Sequence, residues 1–396
     1  MSFQDLAAAL LLLLTAVSGA YGLFALYCVL AFFGKSEERP AEAPDMPVSV
    51  LKPMKGTDSE LQENLLSFCG QEYGEYEILL GCMDPADPAL VVAERAAAMG
   101  KGCPFRTVVS GRPLGVNQKV SNLQGLVELA RYPFLAISDS DMRVDGKYLR
   151  TVAAEYQREE NAGLVTSLYV IREPASAGAA LESLTIALDF IPSVLVARRV
   201  EGVTFGLGAS LFLSKKALGD IGGLPAVADY LADDYQIGNR LWKKGYTVVL
   251  SRYVMEDVAG AMSIRGYVTH QIRWARTYRA CRPGGFLGYG VTHFLPLVLL
   301  LLAVKGLTPL SGVLLASVFV LRYGLAFAVY ARVIRKRAWL KWLPLVPLKD
   351  LAGFFIWIGS FCGDSVSWRG DRYRIGRGGK IRPEGVRDAS FPQTVK

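Results

Sequence analysis

The stretch Phe134-Leu135-Ala136-Ile137-Ser138-Asp139-Ser140-Asp141 decides the fold class of this chain. Four consecutive apolar residues are typical of a strand that is buried on both faces, as in a parallel sheet covered by helices. In such sheets the ligand lies beyond the carboxyl ends of the strands, where the two aspartates follow. The stretch therefore predicts an α/β domain with an acidic site at one edge of its sheet.

Short β-rich runs alternate with helical stretches from about Pro47 to Arg282, which predicts βα units around a mainly parallel sheet. The predicted strands are Val48–Leu51, Glu77–Cys82, Phe105–Val109, Phe134–Ile137, Leu164–Val170 and Ser210–Leu213. Asp84 follows the second strand, as Asp139 and Asp141 follow the fourth, and Asp233-Asp234 opens a later helical stretch. These acids are the candidate site residues.

The triplet Asp139-Ser140-Asp141 supplies two carboxylates, which point the same way if the segment is extended. A hard cation such as Mg²⁺ or Mn²⁺ binds one or two carboxylates together with phosphate oxygens and water. Such a cation offsets the charge that develops on a departing nucleotide diphosphate. Acid-x-acid triplets are also common in surface turns, but the position behind an apolar strand favours a metal site, with Asp141 as the direct ligand.

Two further acidic positions admit either a structural or a chemical role. Asp84 can accept hydrogen bonds from a uracil or a ribose, or it can serve only a turn in which Asp87 caps the next helix. Asp233 and Asp234 can both stabilise the first turn of a helix. Alternatively, one caps the helix and the other acts as the general base that deprotonates an acceptor hydroxyl.

Apolar runs at both ends of the chain predict membrane helices. Leu6–Phe33 exceeds the roughly 20 residues that a spanning helix needs, and the lack of a basic region before it favours an uncleaved anchor over a signal peptide. Phe286–Val304 and Leu307–Tyr330 predict a helical hairpin. The basic run Arg332–Arg337 then places the central domain on the cytoplasmic side of a multi-pass membrane protein.

The last apolar run, Leu343–Cys362, is interrupted by Lys349 and Asp350. Charges are costly at bilayer depth, so an interfacial helix is expected rather than a span. The predicted organisation is an anchor (1–34), a solvated linker (35–46), a catalytic domain (47–282), C-terminal membrane helices (283–365) and a basic tail (366–396). The compact size and alanine-rich anchor suggest a bacterial inner membrane.

The formal charge of +8 arises mainly from Arg265 onward, beside the apolar runs, and so predicts contact with anionic lipid headgroups and not with nucleic acid. The six cysteines include no CxxC pair. Their spacing therefore predicts neither a zinc site nor a disulfide framework, and favours a reducing compartment.

The helix before the membrane hairpin carries His270-Gln271-Ile272-Arg273-Trp274. Arginine can bind phosphate with two hydrogen bonds and tryptophan can line an acceptor cavity, although a basic amphipathic helix on lipid headgroups would look similar. A second candidate acceptor region is the apolar stretch Leu181–Val200, followed by Gly206-Leu207-Gly208. Its alternative is a core or interfacial helix.

Together these motifs resemble the ceramide glucosyltransferase family, glycosyltransferase family 21, including bacterial relatives that glycosylate hopanoid lipids. The resemblance also rests on Leu51-Lys52-Pro53-Met54-Lys55-Gly56, Leu114-Gly115-Val116-Asn117-Gln118-Lys119, Gly222-Gly223-Leu224, Ala232-Asp233-Asp234-Tyr235, Trp368-Arg369 and Tyr373-Arg374. It implies a GT-A catalytic domain with three spaced aspartates followed by a (Q/R)xxRW motif.

The resemblance implies a role for each candidate residue. Asp234 is the catalytic base, and Asp139 and Asp141 bind the metal, Mg²⁺ or Mn²⁺. The nucleotide-sugar-binding residues are Lys52, Asp84, Lys119, Asp139, Arg273 and Trp274, and the acceptor-side residues are His270, Gly208 and Asp233. The chain departs from the family at His270, where Gln or Arg is usual, and at Asp141, where the eukaryotic ceramide enzymes have glycine.

The resulting hypothesis is an inverting, metal-dependent enzyme that transfers glucose or N-acetylglucosamine from a UDP-sugar to a hydroxyl of a membrane lipid. A hopanoid polyol resembling bacteriohopanetetrol is the preferred acceptor and ceramide is the alternative. A processive polysaccharide synthase shares these motifs but normally has more membrane spans. A receptor without turnover would not require a base, a metal pair and an Arg-Trp motif together.

Overall fold

The computed structural model describes residues 2–34, 45–100 and 102–385, which belong to two compact units. The helical unit contains residues 2–34, 170–202 and 261–363, and the α/β unit contains the rest. These units differ from the predicted domains, because 170–202 and 261–282 pack with the apolar helices, and 364–385 packs with the sheet. The predicted linker lies largely outside the described residues, as does the tail beyond 385.

The bounds of the elements are as follows. The helices are α1 (Phe3–Gly34), α2 (Leu61–Leu66), α3 (Pro88–Met99), α4 (Gln118–Leu129), α5 (Tyr148–Arg158), α6 (Ala177–Thr185), α7 (Ile191–Glu201), α8 (Lys215–Asp220), α9 (Asp233–Lys243), α10 (Ile264–Cys281), α11 (Pro283–Gly288), α12 (Phe294–Lys305), α13 (Pro309–Val329) and α14 (Val346–Ser360). The strands are β1 (Val48–Pro53), β2 (Tyr76–Cys82), β3 (Phe105–Val109), β4 (Phe134–Ile137), β5 (Met142–Arg143), β6 (Ala162–Val170), β7 (Leu211–Ser214), β8 (Thr247–Asp257), β9 (Ser365–Trp368), β10 (Asp371–Ile375) and β11 (Ile381–Pro383).

In the described part of the α/β unit, eight strands form one sheet in the order β3-β2-β1-β4-β7-β6-β8-β5. The first four are parallel, whereas β7 is antiparallel to β4 and β6, and β5 is antiparallel to β8. The prediction of a mainly parallel sheet is thus correct for one half and wrong for the other. β5 does not continue the parallel half beside β4, its neighbour in sequence, but lies at the other end of the sheet, antiparallel to β8.

The parallel half of the sheet is buried, and it determines at which edge of the sheet the predicted acidic residues lie. Val50, Leu79 and Leu135, on β1, β2 and β4, have no exposed surface. Both flanking strands pair with β1 along its length, so the segments that follow β2 and β4 leave the sheet at the same edge. This edge carries Asp84 and Asp139.

A disulfide joins Cys69 to Cys103, with 5.2 Å between their Cα atoms. The expectation of no disulfide framework is therefore wrong for this pair. The spacing of 34 residues gave no signal, because the pairing depends on how closely the segment after α2 and the segment before β3 approach each other in the fold.

The predicted basic tail folds as part of the α/β unit up to residue 385. Strands β9, β10 and β11 form an antiparallel sheet of three strands within the described chain. Backbone hydrogen bonds tie it to the loop before α9, from Ile381 to Asp229 (2.8 Å) and from Leu231 to Gly379 (3.2 Å). The sequence indicated only a basic tail, because arginines alternate along β10 with the residues that are buried, such as Tyr373 and Ile375.

The helical unit contains, among its described residues, four segments that are long and apolar enough to cross a membrane. They are Phe3–Gly34, Ala177–Glu201, Pro309–Ile334 and Arg337–Ser360. The predicted span Phe286–Val304 is instead two helices, Pro283–Thr292 and Phe294–Lys305, which meet at 62° and could form one broken span. The chain is a membrane protein by these apolar helices.

The charges that argued against a span at Leu343–Cys362 are buried in a four-residue network. The Arg322 guanidinium lies 2.9 Å from Asp189 and also pairs with Asp350. Lys349 lies 2.5 Å from Asp189 and 2.8 Å from Asp350. Two acids and two bases cancel, so the charge argument for an interfacial helix no longer applies, and the interfacial placement stays a prediction.

Candidate active site

The loop after β4 places the two acids of the predicted metal motif. It is a turn and not the expected extended segment, since the Met142 amide donates to the Asp139 carbonyl (3.3 Å). The turn is needed because Met142 pairs with Asp257 of β8 on the far side of the sheet. The two carboxylates therefore have different surroundings.

Asp139 is engaged by a lysine. Its Oδ1 lies 2.6 Å from Lys119 Nζ at the start of α4, and the same ammonium lies 3.7 Å from Asp233. Burial alone would lower the pKa of Lys119, but Asp139 and Asp233 raise it above its ordinary value, so the lysine is cationic. Asn117 caps α4 and also donates to Asp233 (3.4 Å). Lys119 thus links the second and third acidic motifs.

Asp141 has a carboxylate oxygen that is suited to a cation. Its Oδ1 is buried and has no hydrogen-bond partner among the described residues. Burial, and then the charges of Asp139 and Asp58, raise the pKa of Asp141 to about 6. No group of three or more His, Cys, Asp or Glu that could hold a metal occurs in the described chain. These residues fit Mg²⁺ or Mn²⁺ only if phosphate oxygens and water complete the coordination, as is usual for nucleotide sites.

Asp234 approaches the same site from α9. The helix begins at Asp233 with Ala232 as its N-cap, so the expectation that one aspartate caps it is wrong. Asp233 is buried, while Asp234 is partly exposed. Burial, and then the Asp233 charge, raise the pKa of Asp234 to about 6. This leaves Asp234 as the member of the pair that can reach a ligand.

Gly208 lies between Asp139 and Asp234. A methyl group placed on Gly208 would be 3.1 Å from Asp234 Oδ2 and 3.2 Å from Asp139 Oδ2. The two carboxylates therefore face one space, and the absence of a side chain at Gly208 keeps that space open. The structure places Gly208 between Asp139 and Asp234, and its predicted acceptor-side role remains a prediction.

We expect Gly208→Ala to lower the rate of turnover about tenfold, because the added methyl displaces both carboxylates by a few tenths of an ångström, and misplacement by about 1 Å can cost 10²-fold. Steady-state kinetics of the purified chain would measure this. Gly219→Ala is the matched control, since nothing lies within 4 Å of its added methyl. Equal rates for both variants would show that the space at Gly208 is not used.

Lys52 does not contact solvent, contrary to its predicted role in binding the nucleotide. Its side chain has no exposed surface, and its ammonium donates to the Asp139 carbonyl, to Ser138 Oγ (3.3 Å) and to the Met142 carbonyl (3.5 Å). The ammonium also lies 4.1 Å from the centre of the Phe68 ring. Through these hydrogen bonds, Lys52 therefore supports the turn that carries the metal motif.

Lys52→Met should lower the free energy of unfolding by about 2 kcal/mol, because the Asp139 and Met142 carbonyls lose their donor and a buried acceptor left without a partner costs about 1–3 kcal/mol. A thermal melt of the purified chain would then shift down by about 4–8 °C. Lys243→Met, on the exposed surface of α9, is the control. An unchanged melting temperature for Lys52→Met would contradict the supporting role.

Asp84 lies in an exposed turn after β2. Its Oδ1 accepts a hydrogen bond from the Ala86 amide (2.8 Å). Asp87 caps α3 as predicted, by accepting from the Ala89 amide (2.9 Å), and it also accepts from the Gly56 amide. The role of Asp84 in nucleotide binding remains a prediction.

The His270–Trp274 motif lies on α10, in the helical unit. His270 and Gln271 both contact the buried Glu182 carboxylate, at 3.0 and 2.9 Å. The Trp274 ring packs against Phe190 and His270, with ring centres 5.8 and 5.0 Å apart. Glu182 was missed from the sequence because it lies inside an apolar stretch, and the roles of Arg273 and Trp274 remain predictions.

Two residues near the metal motif were also missed. Asp58 accepts a hydrogen bond from Ser140 Oγ (2.5 Å) and one from Arg369 (2.8 Å). Asp58 follows the end of β1 by five positions, so reading the loops behind all parallel strands would have identified it. Arg369 belongs to a motif that carried the family resemblance, but nothing in its local sequence predicts this contact.

The chain matches the family model described as glycosyl transferase family 21 over residues 10–381. Ceramide glucosyltransferase 1 of Caenorhabditis elegans is 26% identical over 384 residues, covering 93% of this chain and 81% of that protein. Ceramide glucosyltransferase 3 of the same organism is 24% identical over 345 residues, covering 85% and 74% respectively.

Among solved structures, a mannosyltransferase from Pyrobaculum calidifontis in complex with GDP-mannose and Mn²⁺ is similar in fold. The TM-score is 0.56 at 17% identity, with 90% of this chain and 99% of that chain covered. The predicted GT-A class and the predicted family are both confirmed. Because the family match spans nearly the whole length, the chain belongs to glycosyl transferase family 21 and is a glycosyltransferase.

Proposed function

We propose that this enzyme transfers a hexose from a UDP-sugar to a hydroxyl group of a membrane lipid, with inversion at the sugar and with a divalent cation. The observation that carries the proposal is the approach of Asp139 and Asp234 to one open space at Gly208. In the proposed reaction Asp234, as the base, and Asp139, as a diphosphate-binding carboxylate, flank the reacting sugar from two sides of this space.

The proposed reaction is a single displacement. The lipid hydroxyl oxygen attacks the anomeric carbon, Asp234 takes the hydroxyl proton, and the bond between that carbon and the diphosphate oxygen breaks. A divalent cation held by Asp141 and Asp139 would offset the charge on the leaving UDP. Lys119 adds a fixed positive charge beside Asp139. The mannosyltransferase of similar fold was solved with GDP-mannose and Mn²⁺, which supports a divalent cation in the proposed reaction.

Two lipid acceptors have separate support. The names of the curated relatives favour ceramide as acceptor and glucose as the sugar. The compact size of the chain and its alanine-rich anchor favour a bacterial enzyme and hence a hopanoid polyol, and they leave N-acetylglucosamine open as the sugar. Both acceptors present a hydroxyl next to a large apolar body, which suits an enzyme with apolar helices.

The test uses the purified full chain in detergent with UDP-glucose or UDP-N-acetylglucosamine, with ceramide or bacteriohopanetetrol, and with Mn²⁺ or Mg²⁺. We expect one glycolipid, detected by mass spectrometry, together with UDP in equal amount. A ladder of products with several sugars would favour a polysaccharide synthase. UDP-sugar binding without any glycolipid would favour a receptor, and either result overturns the proposal.

We further propose that the α/β unit faces the cytoplasm. The basic run Arg332–Arg337 supports this side. The disulfide Cys69–Cys103 supports the opposite side, because such bonds are rare in a reducing compartment. Trypsin added to inverted inner-membrane vesicles should cleave the α/β unit, and protection there with cleavage in spheroplasts would reverse the orientation.

A further inference from the structure

The tip of the hairpin between β9 and β10 holds an arginine in an unusual conformation. Arg369 has a φ of 50° and the following Gly370 a φ of 89°. Two positive φ values fit a type I′ hairpin turn, where Asn, Asp or Gly normally stands at the first position. Left-handed conformations of other residues cost free energy and persist when the surroundings fix them. The contacts of the Arg369 side chain explain why it is fixed.

The Arg369 guanidinium binds Asp58 with two nitrogens, at 2.8 Å to Oδ1 and 3.4 Å to Oδ2. It also donates to the Lys55 carbonyl (3.3 Å). The second Asp58 oxygen accepts the hydroxyl of Ser140, at 2.5 Å. Ser140 is the residue between Asp139 and Asp141. A continuous chain of hydrogen bonds therefore runs from the hairpin tip to the middle of the metal motif.

A second contact holds the hairpin in place. Lys55 Nζ lies 3.3 Å from Asp371, on the other side of the tip, and 2.9 Å from the Gln118 amide oxygen at the start of α4. The tip thus meets the loop after β1 at two points. Ser140 is buried and the Asp58 side chain is only 17% exposed, so these bonds are poorly replaced by water.

We propose that Arg369 is a positioning residue for donor binding, an inference that rests on the proposed function. Arg369 holds Asp58, and Asp58 holds Ser140, so the turn keeps Asp141 where its unpaired oxygen can meet a cation. The C-terminal hairpin is therefore part of the donor site. Without Arg369, Asp58 keeps its negative charge beside Asp139 and Asp141 and loses its fixed direction.

The test is Arg369→Ala in the purified full chain, with Mn²⁺ binding in the presence of UDP followed by electron paramagnetic resonance. We expect the dissociation constants of Mn²⁺ and of UDP to rise about tenfold, with the KM for the lipid unchanged within twofold. Ser140→Ala should shift Mn²⁺ binding in the same direction. Arg369→Lys should restore part of the loss, because lysine keeps the charge but not the paired geometry.

Arg372→Ala is the matched control, since Arg372 lies on β10 with a side chain that is 76% exposed. Wild-type binding by Arg369→Ala, or the same loss in Arg372→Ala, overturns the inference. The melting temperature of Arg369→Ala should stay within about 2 °C of the wild-type value. This result would show that the loss of binding comes from a displaced Asp58 and not from unfolding of the hairpin. If the wild-type chain itself binds no Mn²⁺ with UDP, the proposed function fails, which is a different result from failure of Arg369 alone.

Discussion

Asp234→Asn is expected to lower the rate of sugar transfer by about 10²- to 10⁴-fold, the usual contribution of a general base. Asparagine keeps the size of the side chain but cannot take the proton of the lipid hydroxyl. Binding of the UDP-sugar should change less than threefold, since Asp234 is proposed to act on the acceptor. Product formation at saturating substrates, together with donor binding by calorimetry, measures both effects.

Asp220→Asn is the control for this variant, because Asp220 lies at the exposed end of α8 in the same unit. It should transfer sugar at the wild-type rate. Turnover of Asp234→Asn within twofold of wild type would remove Asp234 from the base role. Asp233 would not replace it readily, because its buried carboxylate already contacts Lys119 and Asn117.

Asp141→Ala is expected to abolish the binding of Mn²⁺ in the presence of UDP and to lower turnover by more than about 10³-fold, since a bound metal contributes several kcal/mol to a charged transition state. The reason is the unpaired, buried Oδ1 of Asp141. Electron paramagnetic resonance of free Mn²⁺ measures binding, and glycolipid formation measures turnover.

Asp139→Asn separates the two acids of the motif. Asp139 is already paired with Lys119, so this variant should keep weakened Mn²⁺ binding while turnover falls. The opposite result, with binding lost in Asp139→Asn and kept in Asp141→Ala, would exchange their roles. A surface acid such as Glu128 on α4 gives a control substitution, because its exposed carboxylate accepts a hydrogen bond from Gln124 of the same helix.

The sequence allowed the parallel core and its acidic edge to be predicted, because those features are local. The apolar run of β4 is followed after Ser138 by Asp139, and β1 and β2 have the same buried character. The turn at Asp139–Met142 was not predictable in this way. It depends on the pairing of Met142 with Asp257, a residue more than a hundred positions later.

Burial of charged residues was the second reason why the structure differs from the predictions made from the sequence. Lys52 was predicted to bind the nucleotide. Its amino group instead donates hydrogen bonds to the backbone carbonyls of Asp139 and Met142 in the turn after β4. Lys349 and Asp350 looked too costly for a membrane-spanning helix, yet Asp189 and Arg322 neutralise them. Such partners are separated by up to 160 positions, so only the tertiary structure reveals that a charge is paired.

The most direct measurement is a Mn²⁺ titration of glycolipid formation by the purified full chain, starting from enzyme treated with EDTA. The UDP-sugar and lipid pair is the one that the acceptor screen selects. We predict no product without a divalent cation, a saturable rise as Mn²⁺ is added, and a curve for Asp141→Ala that stays near zero. The same rate with and without EDTA would contradict the metal site at Asp139-Ser140-Asp141.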